Sequence, residues 1–113
     1  MTIHSSAVIH TDAELAHGVE VGPFTTIGPK ARIGEGTVVG PNVVIEAGTV
    51  IGRICKIFHG ASLGGDPQIF NFKDIPTSLE IGDGTVIREY VTIHRSGFEN
   101  GVTKVGKSCL LMA

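Results

Sequence analysis

From Ile3 to Leu63 an aliphatic residue returns at every sixth position: Ile3, Ile9, Leu15, Val21, Ile27, Ile33, Val39, Ile45, Ile51, Ile57 and Leu63. Four places after these comes a small or β-branched residue, from Ala7, Ala13 and Val19 through Thr25, Ala31, Thr37, Val43 and Thr49 to Cys55 and Ala61. Gly follows the aliphatic residue at 22, 28, 34, 40, 52 and 64. A period of six fits neither the 3.6 of a helix nor the alternation of a long strand. It fits a short strand plus a turn, with one large and one small side chain pointing inward per unit. The β-branched residues suit the strands. Gly is expected where the chain bends through angles other residues avoid. Three units close a triangular coil of 18 residues, and successive coils stack as parallel strands ~4.8 Å apart. Residues 18 apart then lie above one another, so Ile9, Ile27, Ile45 and Leu63 form one inner column. The prediction is an all-β parallel β-helix, one domain over 1–113.

The pattern breaks twice. "GGDPQIFNFKDIPTSLE" has no small residue in the required places and carries two prolines, which predicts a protruding loop at about 65–80. Ile81-Gly82, Ile87 and Ile93 resume the count. The polar, Gly-rich "RSGFENGVTK" predicts a second loop at about 95–104. Val105-Gly106 then restarts the repeat, with Cys109 at the small position and Leu111 opening another unit. A solenoid normally ends in an atypical covering segment, and its absence after Leu111 leads us to expect a truncated front portion of a longer protein.

Charge and composition remove several function classes. Nine basic against eleven acidic residues give a net charge of -2, which offers no field for nucleic acid and no cationic face for a membrane. Five Phe, one Tyr and no Trp supply too few aromatic rings for a base-stacking platform. Neither a signal peptide nor a membrane-spanning run is present in the sequence, so a cytoplasmic protein is expected. Cys55 and Cys109 form no CxxC pair and read as small buried residues. The Gly-rich turns contain no G-x-x-x-x-G-K-[ST], so they are not phosphate loops.

The breaks carry a resemblance. "IGDGTVIREYVTIHRSG" followed by "TKVGKSCLLMA", together with the earlier "GRICKIFHGASLGGDPQ" and "PTSLEIGD", resembles the UDP-N-acetylglucosamine O-acyltransferases that begin lipid A synthesis. That resemblance, not the periodicity, implies a left-handed coil. It also implies transfer of a 3-hydroxyacyl group from an acyl carrier protein thioester to the 3-hydroxyl of a UDP-sugar, no cofactor, no metal, and a homotrimer. Such a transfer needs a base for the hydroxyl proton and donors for the developing oxyanion. In the family the base is a His a few residues past the L-L-M segment, and the oxyanion donor lies further on. Both fall beyond Ala113, so no catalytic residue is assigned within this chain.

The resemblance places part of the sugar-nucleotide site in the first loop. The family commonly has P-Q-D-L-K-Y where this chain has Pro67-Gln68-Ile69-Phe70-Asn71-Phe72. Gln68 matches, whereas the expected Asp is Ile69 and the expected Lys is Asn71. Asp66, Asn71 and Asp74 are the groups available to receive sugar hydroxyls instead. The candidate substrate-binding residues are therefore Gln68, Asn71, His94 in "VTIHR", and Arg95, the last as a partner for phosphate or for acidic groups of the carrier protein. His59 lies just before the first loop, and His4, His10 and His17 read as surface residues. Two enzymatic alternatives are a related hexapeptide N-acyltransferase on an amino sugar and a zinc hydratase needing three His ligands. A non-catalytic structural or assembly fragment is the third.

Overall fold

The computed structural model describes residues 2–113, and among these every regular element is a β-strand. Most strands are two residues long, and each side of a triangular prism is a parallel sheet. The first face stacks Thr2–Ile3, Glu20–Val21, Val38–Val39, Lys56–Ile57, Val86–Ile87 and Leu110–Leu111. The second stacks Val8–Ile9, Thr26–Ile27, Val44–Ile45, Ser62–Gly65 and Thr92–His94. The third stacks Glu14–Leu15, Arg32–Ile33, Val50–Ile51, Ser78–Ile81 and Val102–Val105. The expected column is present: Ile9 pairs with Ile27, Ile27 with Ile45, Ile45 with Leu63, and Leu63 with Ile93.

Both inward positions of the repeat are buried. Val21, Ile27, Ile33, Val39, Ile45, Ile51, Ile57 and Leu63 supply the large side chains; Val19, Ala31, Val43, Cys55, Ala61 and four threonines supply the small ones. Each large side chain removed from water contributes roughly 1.5–3 kcal/mol. Backbone amides bond to the carbonyl of the coil above, as Gly22 N–H to Val39 O and Gly40 N–H to Ile57 O, both at 2.8 Å.

Glycine works differently from the expectation. Except at Gly64, where the first loop departs, the left-handed residue of the turn is not the Gly after the aliphatic residue but the one two places later: Gly36, Gly48 and Gly60, and also Phe24, Lys30, Asn42 and Ile54. The Gly directly after the aliphatic residue answers to crowding between coils. A Cβ on Gly34 would lie 2.6 Å from the carbonyl carbon of Gly52, and one on Gly82 would lie 2.7 Å from that of Gly106.

The two loops are shorter than the sequence suggests. Residues 78–80 and 102–104 belong to strands, paired Ser78 with Val102 through Ile81 with Val105. Leu79 is drawn into the core, which lengthens the strand that leaves the first loop. Pairing partners lie 18 residues apart in the regular coil, 30 apart across the first loop (Ile51 to Ile81) and 24 apart across the second (Ile81 to Val105).

Candidate functional site

The first loop departs where the repeat can no longer be kept. Gly64 adopts φ +84, a conformation that suits glycine, and the register between the strands slips so that Gly65 faces His94. The loop, residues 66–77, then folds on itself through Ile69 N–H to Pro67 O at 2.8 Å and Phe72 N–H to Ile69 O at 3.2 Å, with Asn71 left-handed at φ +57. The second loop packs beside it. Asn100 N–H donates to Pro76 O at 2.8 Å, and Ile69 lies so close to Gly97 that a Cβ there would meet its Cδ1 at 2.7 Å.

Arg95 holds this assembly. Its Nε and Nη2 donate to Asp66 Oδ1 at 3.1 and 3.0 Å, and Nη2 also donates to Asp74 Oδ1 at 2.9 Å. Nη1 donates to Ile75 O at 2.8 Å and to Thr77 Oγ1 at 3.1 Å. The guanidinium carbon stands 5.1 Å from the centre of the Phe72 ring, and the side chain is only 12% exposed. A guanidinium has five N–H donors, and these bonds engage them within the chain. Burial works against the charge, but the bonds to Asp66 and Asp74 outweigh it and leave the Arg95 pKa raised. Arg95 thus spans both ends of the loop rather than presenting donors outward.

The other candidates sit around this clamp. His94 closes the strand Thr92–His94 on the second face, half-buried, with Nδ1 2.8 Å from Asp66 O. Gln68 and Asn71 are exposed on the loop, and among the described residues their side-chain amides have no hydrogen-bond partner. Phe70 between them is 97% exposed. An open groove of about 800 Å³ runs between the loop and an earlier turn, with Lys30, Glu46, Asp66, Asp74, Thr77 and Arg95 on its walls. The structure brings His94, Arg95 and the base of the Gln68–Asn71 loop together. The clamp role of Asp66 and Asp74 has one sequence signal: two carboxylates bracketing a loop that precedes an Arg on the next coil.

The remaining histidines lie elsewhere. His4 and His10 serve their own turns, accepting from Ser6 N–H at 3.1 Å and Asp12 N–H at 3.0 Å. His59 occupies the corner between the first and second faces, with its ring edge-on to Tyr90 at 5.4 Å. Among the described residues no three His, Cys, Asp or Glu side chains gather in a metal-binding group. Cys55 is buried and Cys109 partly so, both as free thiols, and burial pushes the Cys55 pKa up. No helix of the described residues is long and apolar enough to cross a membrane.

Three parallel sheets of stacked hexapeptides define the class of the chain as a left-handed β-helix, the fold of the solved acyltransferases it superposes on. A Ralstonia nicotianae protein named as the acyl-carrier-protein-dependent UDP-N-acetylglucosamine O-acyltransferase is 54% identical over 112 residues, 98% of this chain and 41% of its own length. Its namesake from a Sulfurihydrogenibium species is 49% identical over 112 residues, with the same coverage. The crystal structure of the Francisella novicida UDP-N-acetylglucosamine acyltransferase superposes with a TM-score of 0.95 at 40% identity, over 99% of this chain and 41% of that one. No family model matches the chain. The chain belongs to the UDP-N-acetylglucosamine O-acyltransferase family, and it spans about two-fifths of the length of the curated relatives it matches.

Proposed function

We propose that this chain forms part of the sugar-nucleotide site of an enzyme that moves a 3-hydroxyacyl group from acyl carrier protein to the 3-hydroxyl of UDP-N-acetylglucosamine, in lipid A synthesis. The observation that carries this reading is the loop 66–77 folded back onto His94 and Arg95 at one corner of the coil. It leaves the amides of Gln68 and Asn71 exposed, free to donate to and accept from a sugar or a diphosphate. His94 stands at their base as the third contact. The base and oxyanion donor of the transfer lie outside residues 2–113 in this reading. In this reading the protein works in the cytoplasm, where a carrier-protein thioester would reach it.

The working assembly in this reading is a homotrimer. The outward positions of the second face are Val8, Thr26, Val44, Ser62 and Thr92, all uncharged. Those of the third face include Glu14, Arg32, Glu80 and Lys104. An uncharged, partly aliphatic face is the one that desolvates at least cost when another copy covers it.

The test supplies the 113-residue chain with 3-hydroxyacyl carrier protein and UDP-N-acetylglucosamine. We expect no measurable transfer, because loss of a general base costs ~10²–10⁴-fold and loss of an oxyanion donor ~10²–10³-fold. Nucleotide-sugar binding, followed by calorimetry, is expected to weaken in Gln68→Ala and in His94→Ala. Binding left unchanged by both substitutions removes the loop from the site, and robust turnover by the chain alone places the base within it.

A further inference from the structure

We propose that Arg95 is a positioning residue that sets the tautomer of His94 through Asp66. This deepens the proposed function and rests on the reading of His94 as part of the sugar-nucleotide site. Asp66 is gripped at two points. Its carboxylate takes two bonds from Arg95, and its carbonyl oxygen lies 2.8 Å from His94 Nδ1. A carbonyl oxygen can only accept, so the proton of this bond belongs to Nδ1. In the neutral imidazole the other nitrogen, Nε2, then carries a lone pair. Nε2 has no partner among the described residues, so it is available to accept from a ligand hydroxyl.

The chain of cause runs from the arginine outward. The Arg95 amide donates to Gly65 O at 2.9 Å, which sets the guanidinium beside the point where the loop leaves the coil. The carboxylates of Asp66 and Asp74 are 76% and 94% exposed, so little else restrains them. Without the fork the Asp66 peptide is free to rotate, its carbonyl leaves Nδ1, and the ring loses its reason to keep the proton there. A residue that merely stapled the loop would leave the ring's tautomer alone.

The experiment reads that proton directly, by ¹⁵N NMR of the histidine rings of the 113-residue chain at a pH where the rings are neutral. The expected spectrum shows the His94 ring as a single Nδ1–H tautomer in the wild type and as a tautomer mixture in Arg95→Ala, with the amide signals of the regular coil unmoved. Arg95→Lys keeps the charge beside Asp66 and Asp74 without the planar fork, and covers the case in which the alanine variant loses its fold; it is expected to give the mixture too. UDP-N-acetylglucosamine is titrated in parallel. Arg95→Ala is expected to lower its affinity about tenfold, and to add nothing in a chain already carrying His94→Ala. An Nε2–H tautomer in the wild type, an unchanged tautomer in both Arg95 variants, or additive losses in the double variant overturns the proposal. A wild-type chain that binds no UDP-N-acetylglucosamine rejects the proposed function, while the tautomer still decides the role of Arg95.

Discussion

Four buried threonines share one position of the repeat, and three of them bridge neighbouring coils. Thr25, Thr37 and Thr85 each donate to a carbonyl of the coil above at 2.7 Å and accept from an amide there at 3.1–3.2 Å. Thr49 is the exception: it is 1% exposed, and its Oγ1 has no partner. The first loop interrupts the coil directly above it: the strand that stacks there lies 30 residues on, with Glu80 over Val50, and the chain in between leaves at Gly64 with φ +84. Thr49→Val is therefore expected to leave stability unchanged or raise it by about 1 kcal/mol, whereas Thr37→Val should cost about 1–3 kcal/mol. Urea unfolding of the two variants measures the contrast, and equal losses would contradict it. Ile54 offers a second test. It holds φ +55 while 73% exposed, so it carries the left-handed penalty of ~1–2 kcal/mol with little burial in return. Ile54→Gly is expected to gain about 0.5–1 kcal/mol, the relief less the extra entropy of an unfolded glycine. A lower urea midpoint in that variant would refute the account.

At the scale of the element, the inner columns were legible in the sequence because their spacing is regular. Each of Ile27, Ile33, Val39 and Ile45 is six residues from the next, and all are buried. An aspartate among them has no partner to offset its charge. Ile45→Asp should cost several kcal/mol, and full thermal stability in that variant would mean that residue 45 faces out. The task of glycine was misread for a physical reason. A residue kept small by the coil above and a residue needing a left-handed backbone look alike in one sequence, and only the stacking separates Gly34 from Gly36. The clamp was harder still to see. Arg95 reaches Asp66, Asp74, Ile75 and Thr77 across 18 to 29 residues, and no period marks that meeting. Gln68 and His94 were singled out as candidates only through their motif, since an exposed amide and a half-buried imidazole carry no periodic signature.

At the scale of the whole molecule, the three faces differ in what they offer to a neighbour. The uncharged second face predicts self-association that survives high salt, since apolar contact is not screened as surface ion pairs are. Sedimentation at tens of micromolar is expected to show a trimer; a monomer alone at both low and high salt would reject this for the 113-residue chain. The separation of pairing partners matters in another way. Closing a segment of 30 residues instead of 18 adds only about 0.5 kcal/mol of chain entropy, and 24 instead of 18 adds about 0.3 kcal/mol. Both are below the ~0.8 kcal/mol that burying one methylene contributes. The coil behaves as a chassis with sockets at its corners. Recognition segments can be lengthened, exchanged or rewritten there while the rungs on either side keep their stacking, so ligand preference in this architecture is free to change without the scaffold having to be reinvented.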